Sequence, residues 1–262
     1  VVHGTTLVTN TVIERKGARI GLITTKGFRD NLEMGREMRY DLYDLALEKP
    51  EPLVPRPRRH AVTERLSAQG DILRPLDESE VRAAAQALKA QGVEAVAVCL
   101  LHAYLDPTHE RRIGAMLEQE LPGIPVTLSS DVAPEIREYE RTSTTVLNAL
   151  LMPVVKAYLD RLEARLGEGG FHPIVFLVQS NGGVCSLRVA AEQPARLLLS
   201  GPSGGTLAAG RLSAVLDRPN LVAVDMGGTS YDVSVVQGGR VSVITQGEID
   251  RLHGKLAEAE RR

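Results

Sequence analysis

The stretch Val222-Ala223-Val224-Asp225-Met226-Gly227-Gly228-Thr229-Ser230-Tyr231-Asp232-Val233-Ser234-Val235-Val236 decides how the rest of the chain is read. An apolar, β-branched strand delivers Asp225 to its end, a glycine pair turns the chain, hydroxyls follow, and a second strand leaves after Asp232. These are the parts of a phosphate-handling hairpin. The glycines let backbone N–H groups approach phosphate oxygens, Thr229 and Ser230 can donate hydrogen bonds, and the carboxylates can hold Mg²⁺ through its waters. The alternative is an ordinary hairpin whose turn needs Gly-Gly. A second Asp seven positions after the first makes the pattern more specific than a lone glycine motif.

Just upstream, Gly201-Pro202-Ser203-Gly204-Gly205-Thr206-Leu207-Ala208-Ala209-Gly210 heads a helix expected over 201–216. Its small residues suit close helix packing, which is preferred here over anion binding at the helix N-terminus. The chain has no Gly-x-x-x-x-Gly-Lys-Ser/Thr and no Gly-x-Gly-x-x-Gly, so the two commonest nucleotide loops are excluded.

Working outward, strands are expected at 19–25, 93–101, 124–128, 174–178, 196–199 and 221–225, with a closing hairpin at 231–236 and 240–244 around Gly238-Gly239. Another hairpin is read from Ala61–Leu66 and Ile72–Leu76 around Gln69-Gly70-Asp71. Residues 5–15 mix helical spacing with β-branched positions, so their period stays ambiguous. Four prolines between Pro50 and Pro57 exclude a helix there. Helices are read from Asp77-Glu78-Ser79-Glu80 to Gly92 and over about 108–121. The longest helical pattern follows Pro134, and Pro153 within it predicts a kink or a split. Strands and helices alternating at short range indicate an α/β fold.

Composition narrows the classes. The 262 residues carry 31 Lys+Arg against 33 Asp+Glu, and aromatics are 3% with no Trp. Such a chain shows neither the basic excess nor the stacking platform of a nucleic-acid binder. No apolar stretch reaches the roughly 18 residues of a membrane span, and the N-terminus lacks a signal pattern. Cys99 and Cys185 are the only cysteines; Cys99, in the run Val96-Ala97-Val98-Cys99-Leu100-Leu101, reads as a buried structural thiol. Two unpaired cysteines suit a reducing cytoplasm.

The Asp225 hairpin resembles the second phosphate motif of the actin, sugar-kinase and heat-shock-chaperone ATPase superfamily. Within it the chain resembles the hydantoinase A/5-oxoprolinase family, N-methylhydantoinase A type. The matching segments are His3-Gly4-Thr5-Thr6 with Thr9-Asn10, Glu14-Arg15-Lys16-Gly17-Ala18, Leu22-Ile23-Thr24-Thr25-Lys26-Gly27-Phe28-Arg29-Asp30, Val93 to His102, Arg137-Glu138-Tyr139-Glu140-Arg141-Thr142-Ser143-Thr144-Thr145-Val146, and the Gly201 and Asp225 segments. The resemblance implies an actin-like, ribonuclease H-like ATPase fold with an inserted α/β subdomain. It divides the chain into an N-terminal region over 1–173 and the beginning of an ATPase domain over 174–262.

The activity implied is ATP-dependent hydrolysis of a cyclic amide, such as 5-oxoproline or N-methylhydantoin, with ATP and Mg²⁺ as cofactors. A five-membered lactam is a poor electrophile, and phosphorylating its carbonyl oxygen makes that oxygen a leaving group. On this reading Asp225 organises the metal waters, Asp232 supports the turn or a second metal-water contact, and Gly227, Gly228, Thr229 and Ser230 meet the phosphates. His3, with Gly4 and Thr5, contacts substrate or phosphate, or else stabilises its own turn. A hydantoinase B-type subunit is the implied partner, with neither nucleic acid nor membrane. Two alternatives stand beside it, an ATP-binding subunit of a ketone carboxylase-type complex and an inactive fragment. Family members begin with an earlier Asp-x-Gly-Gly-Thr hairpin, so the chain reads as a central fragment expected to bind ATP poorly by itself.

Four further features stand outside that assignment. His102 is a strand-end histidine or a catalytic base. Arg137, Glu138, Glu140 and Arg141 form a solvated helix face or line a cleft. Thr142 to Thr145 are unfavourable in a free helix. Ser180-Asn181-Gly182-Gly183 follows a strand end, where open α/β sheets place ligands.

Overall fold

The computed structural model describes residues 1–37, 43, 46, 50–226 and 231–241. In chain order these form β1 (Val2–His3), α1 (Leu7–Ile13), β2 (Ile20–Thr25), α2 (Asn31–Met34), β3 (Arg59–Val62), β4 (Arg65–Leu66), β5 (Ile72–Arg74), α3 (Glu78–Ala90), β6 (Ala95–Cys99) and α4 (Thr108–Glu120). There follow β7 (Val126–Leu128), α5 (Ser129–Val132), α6 (Glu138–Glu168), β8 (Phe176–Val178), β9 (Val184–Ser186), α7 (Leu187–Glu192), α8 (Ser200–Val215), β10 (Leu221–Met226), β11 (Tyr231–Gln237) and β12 (Arg240–Val241). The chain is α/β and divides into two compact units, Gly17–Val154 and Val1–Lys16 with Val155–Arg262. No helix among the described residues is long and apolar enough to cross a membrane.

The Gly17–Val154 unit is built on a parallel sheet in the order β3-β2-β6-β7. Its central strands β2 and β6 are buried at every position, so their sequences run apolar continuously instead of alternating. Asp77 caps α3 by accepting from the Ser79 and Glu80 amides, which turns Val81, Ala84, Ala85 and Leu88 inward. Leu88 lies so close over β2 that a Cβ on Gly21 would come within 2.3 Å of its Cδ2. Ile113, Met116 and Leu117 of α4 complete this core.

Parallel strands end in unpaired backbone donors, and here buried carboxylates take them. Glu110 accepts from the Leu100 amide at 2.9 Å, the Ser129 hydroxyl at 2.6 Å and the Ser130 amide at 2.8 Å, tying the ends of β6 and β7 together. Glu64 accepts from the Thr25 hydroxyl and meets His109 Nδ1 at 2.8 Å. Thr25 Oγ1 in turn accepts from the Leu101 amide at 2.9 Å, joining the ends of β2 and β6. Burial pushes the Glu110 carboxyl above its ordinary 4.5, with the donors pulling the other way.

The hairpin expected from Ala61 to Leu76 is divided between two sheets. Its outer half forms as β4 and β5, whereas Ala61 and Val62 belong to β3, paired in parallel with Thr24 and Thr25. The strand expected at 196–199 is instead a 3-10 turn over Pro194–Leu197, followed by Leu199 in the left-handed region at φ 58°. Proline at the start fixes φ and removes a donor, which disfavours a strand. Residues 5–15, ambiguous by period, contain the helix α1.

The helix α6 runs unbroken through Pro153, so the expected split does not occur. Proline disrupts the hydrogen bonds of the preceding turn, and the Leu150 carbonyl there accepts from the Ala18 amide at 3.1 Å. Leu150, Leu151 and Val155 are buried on either side. Packing around the proline holds the helix in register, and the boundary between the two units falls beside it.

In the other unit, β1 pairs in parallel with β8, which pairs with β9, while β10, β11 and β12 form an antiparallel sheet. The helix α8 packs on one face of β10 and β11. The last expected strand is described only to Val241; Ile244 lies outside the described residues.

Two outcomes follow. Gly21→Ala should lower stability by about 1–3 kcal/mol in urea unfolding, since Leu88 is fully buried and must be displaced. The folded pKa of Glu110 lies above its unfolded value, so its contribution is present below about pH 4.5 and is lost as pH rises through the folded value. Unfolding free energy should therefore fall with pH above 4.5 more steeply in the wild type than in Glu110→Gln; equal slopes would contradict the assignment.

Candidate functional site

The β10–β11 hairpin forms as its alternating valines dictate. Its six-pair register sets Asp225 directly opposite Asp232 and Met226 opposite Tyr231. Directly opposed residues share a face, so both carboxylates lie on the face with Leu221, Ala223, Ser234 and buried Val236, against which α8 packs. Asp225 is exposed near the turn end of the hairpin, one pair in from Met226–Tyr231. Gly227, Gly228, Thr229 and Ser230, expected to meet the phosphates, lie outside the described residues.

Two opposed carboxylates repel, and a divalent cation near them would relieve that repulsion. No group of three or more His, Cys, Asp or Glu side chains that could cage a metal exists among the described residues.

A separate cluster of the expected residues surrounds the turn after β1. His3 pairs with Leu177 at the end of β8, and its Nε2 lies 2.6 Å from the Tyr158 hydroxyl with the rings stacked. Thus the direct partner of His3 is Tyr158, not either carboxylate. Gly4 lies against the first turn of α8, where an added Cβ would stand 3.6 Å from the Ser200 carbonyl. The Thr5 amide donates to Ser200 Oγ at 3.2 Å, and the same hydroxyl donates to the Thr5 carbonyl at 2.8 Å. Thr9 Oγ1 accepts from the Leu199 amide at 3.1 Å.

A third segment reaches the same place. The Ser180 amide donates to the Arg196 carbonyl at 2.8 Å and its hydroxyl to the Leu198 carbonyl, while Ser203 in the first turn of α8 donates to the Ser180 carbonyl at 2.8 Å. The Gly4-Thr5 turn, the Ser180–Gly183 loop and the N-terminus of α8 are thereby gathered at the ends of the parallel pair β1–β8. Sequence reasoning singled out each segment but missed their convergence. The available signal was that Gly, Ser and Thr follow both strand ends and also open α8.

The α8 glycines divide by surroundings. A Cβ on Gly210 would stand 3.0 Å from Val241 and one on Gly201 3.4 Å from Thr6, so these two serve close packing. Gly204 and Gly205 have nothing within 4 Å. In the Gly17–Val154 unit, Arg141 is fully buried, so the solvated-face reading fails for it, whereas Glu140 pairs with Arg36 at 2.8 Å. Cys99 is buried, and desolvation pushes its thiol up, consistent with a structural role. Thr142, Thr144 and Thr145 return their hydroxyls to carbonyls one turn earlier, which accommodates them in α6.

Ser200 should be the sensitive residue of this junction because it is 1% exposed. Ser200→Ala leaves the Thr5 amide and carbonyl without that partner and is expected to lower stability by about 1–3 kcal/mol, with faster hydrogen exchange at the Thr5 amide. Unchanged exchange there would show that the hydroxyl does not hold the turn.

Comparison with known proteins matches two profiles, the hydantoinase/oxoprolinase N-terminal region over residues 1–121 and hydantoinase/oxoprolinase over residues 141–259. Caprolactamase subunit alpha of Pseudomonas jessenii is 37% identical over 243 residues, covering 92% of this chain and 35% of that protein. The 5-oxoprolinase of Saccharomyces cerevisiae is 35% identical over 268 residues, covering 91% of this chain and 20% of that protein. A nucleotide-free acetone carboxylase structure, described in terms of ATP-dependent acetone carboxylation, superposes with a TM-score of 0.83 at 33% identity, covering 92% of this chain and 35% of that chain. The chain thus spans little more than a third, or less, of these relatives.

Proposed function

The chain belongs to the hydantoinase/oxoprolinase family, and we propose that it carries part of the ATP site of an enzyme that opens cyclic amides. The observation that carries this reading is the register pair Asp225–Asp232 at the turn end of a hairpin whose strands are joined in sequence by Gly227-Gly228-Thr229-Ser230. In this proposal Asp225 orients waters of Mg²⁺, Asp232 supports the turn or a second water, and the tip's backbone and hydroxyls hold phosphate oxygens. His3, Gly4 and Thr5 form a neighbouring wall that contacts substrate or phosphate. Mg²⁺, when bound, would neutralise phosphate charge.

The chemistry suits the substrates named for the relatives, 5-oxoproline and caprolactam. An amide carbonyl oxygen takes the γ-phosphoryl group of ATP and ADP leaves; one water adds to the activated carbon and the ring C–N bond breaks with its nitrogen protonated, leaving an acyl phosphate that a second water hydrolyses to carboxylate and phosphate. The fold proposed for this work is actin-like, with residues 1–173 as the N-terminal region and 174–262 as the beginning of the ATPase domain. The family includes subunits of larger enzymes, as the caprolactamase name indicates, so a hydantoinase B-type partner is part of the proposal. The second reading, an ATP-binding subunit of a ketone carboxylase, is favoured by the acetone carboxylase superposition.

The test is ATP hydrolysis by the enzyme that contains this chain, with 5-oxoproline, hydantoin or caprolactam, and separately with acetone and bicarbonate. Amide-dependent turnover is expected, and Asp225→Asn should reduce it by about 100-fold or more while leaving the fold intact. Turnover only with the ketone would replace the first reading by the second. No ATP consumption with any of them, with or without a second subunit, would remove both.

A further inference from the structure

His3 ends β1, where successive side chains leave on opposite faces, so exposed Val2 turns outward and His3 turns toward α6. There it meets Tyr158, which is flanked on α6 by buried Val155 and Leu159. Both partners belong to the same compact unit. The Tyr158 hydroxyl stands 2.6 Å from His3 Nε2, with the ring planes 22° apart and the centroids 6.0 Å apart. At that separation the contact runs through the hydroxyl and meets the edge of the imidazole, where the Nε2 lone pair lies.

The chemistry of the two groups sets the direction of this bond. A bare imidazole nitrogen is a strong acceptor with its lone pair in the ring plane, whereas a phenol oxygen shares its lone pairs with the aromatic ring and its O–H is the better donor. Tyr158 therefore donates to Nε2. A neutral imidazole carries one proton, and the bond made at one nitrogen places that proton on the other, here Nδ1. Nδ1 has no hydrogen-bond partner among the described residues and is not one of the buried atoms left without one. With Nε2 occupied and Nδ1 protonated, neither lone pair is left to take a proton from a substrate. The surroundings offer donors of the same kind, because the exposed Gly4 turn lies against the first turn of α8, whose leading amides lack intrahelical partners. A neutral N–H beside such amides suits an oxygen that bears or gathers negative charge.

We propose that Tyr158 is a positioning residue that makes His3 a hydrogen-bond donor through Nδ1, directed to a phosphoryl or amide carbonyl oxygen, and excludes His3 as a general base. This deepens the ATP reading and rests on it, since it takes His3 to contact substrate or phosphate.

Long-range proton–nitrogen NMR correlation on the 262-residue chain, isotope-labelled at histidine, reads the tautomer directly. The spectrum is taken at about pH 9, where imidazoles are neutral, and the His3 signals are those missing from His3→Asn. Nδ1 is expected as the protonated nitrogen in the wild type, and Tyr158→Phe should shift the tautomer ratio about 5-fold or more toward Nε2–H. The second readout is ATP turnover by the enzyme that contains this chain. His3→Asn, whose side-chain amide places an N–H near the Nδ1 position but has no basic nitrogen, should stay within about 10-fold of wild type, whereas His3→Ala should lose about 100-fold. Tyr158→Phe should lower kcat about 5- to 10-fold in the wild type and add no further loss in His3→Asn. A bare Nδ1 in the wild type, His3→Asn falling as far as His3→Ala, or equal losses from Tyr158→Phe in both backgrounds would overturn the inference. A protonated Nδ1 that depends on Tyr158, in an enzyme that consumes no ATP, would remove the ATP reading and leave the Tyr158–His3 assignment standing.

Discussion

Two buried carboxylates hold the carboxyl edge of the parallel sheet together, and the geometry of that unit depends on them. Glu110 accepts two amides and a hydroxyl at the ends of β6 and β7, and Glu64 reaches β2 and β6 through Thr25. A parallel sheet must release its chain at this edge, where backbone donors lose their partners and solvent begins. A carboxylate accepts several donors at once, so a single side chain on α4 closes what would otherwise be a set of loose strand ends. The position of Arg141 follows, because its Leu100 acceptor is the same residue whose amide Glu110 holds.

The other unit meets the same constraint with neutral groups. Ser200 clamps both polar atoms of the Thr5 backbone, and Ser180 takes carbonyls from the Arg196–Leu198 turn. Hydroxyls suffice here because each bridges two segments, and they bring no charge that would compete with an incoming phosphate.

Much of the architecture was legible because local signals agreed. The Asp77 cap, the Val81-Ala84-Ala85-Leu88 stripe and the continuous apolar run before Cys99 each point to one element and one environment. The β10–β11 hairpin was legible from its alternating valines and glycine pair, and the structure then set Asp225 opposite Asp232. What failed was decided at a distance. Ala61 and Val62 have a hairpin's pattern, yet β2 offers a parallel edge that local spacing cannot reveal. Pro153 argues for a break, and packing on both sides with the Ala18 amide keeps α6 whole.

By itself the sequence determined the α/β class, the family and the hairpin that carries the two aspartates, since these rest on periodicity, turn chemistry and motif, all of which are local. Only the tertiary structure decided that His3 meets Tyr158, that Ser200 closes the Thr5 turn, and that Arg141 is a buried cation at a strand-order reversal rather than part of a solvated face. Those partners lie from 41 to 195 residues apart along the chain. No local pattern encodes such pairs; they arise when sheet order and helix packing bring distant ends to one edge.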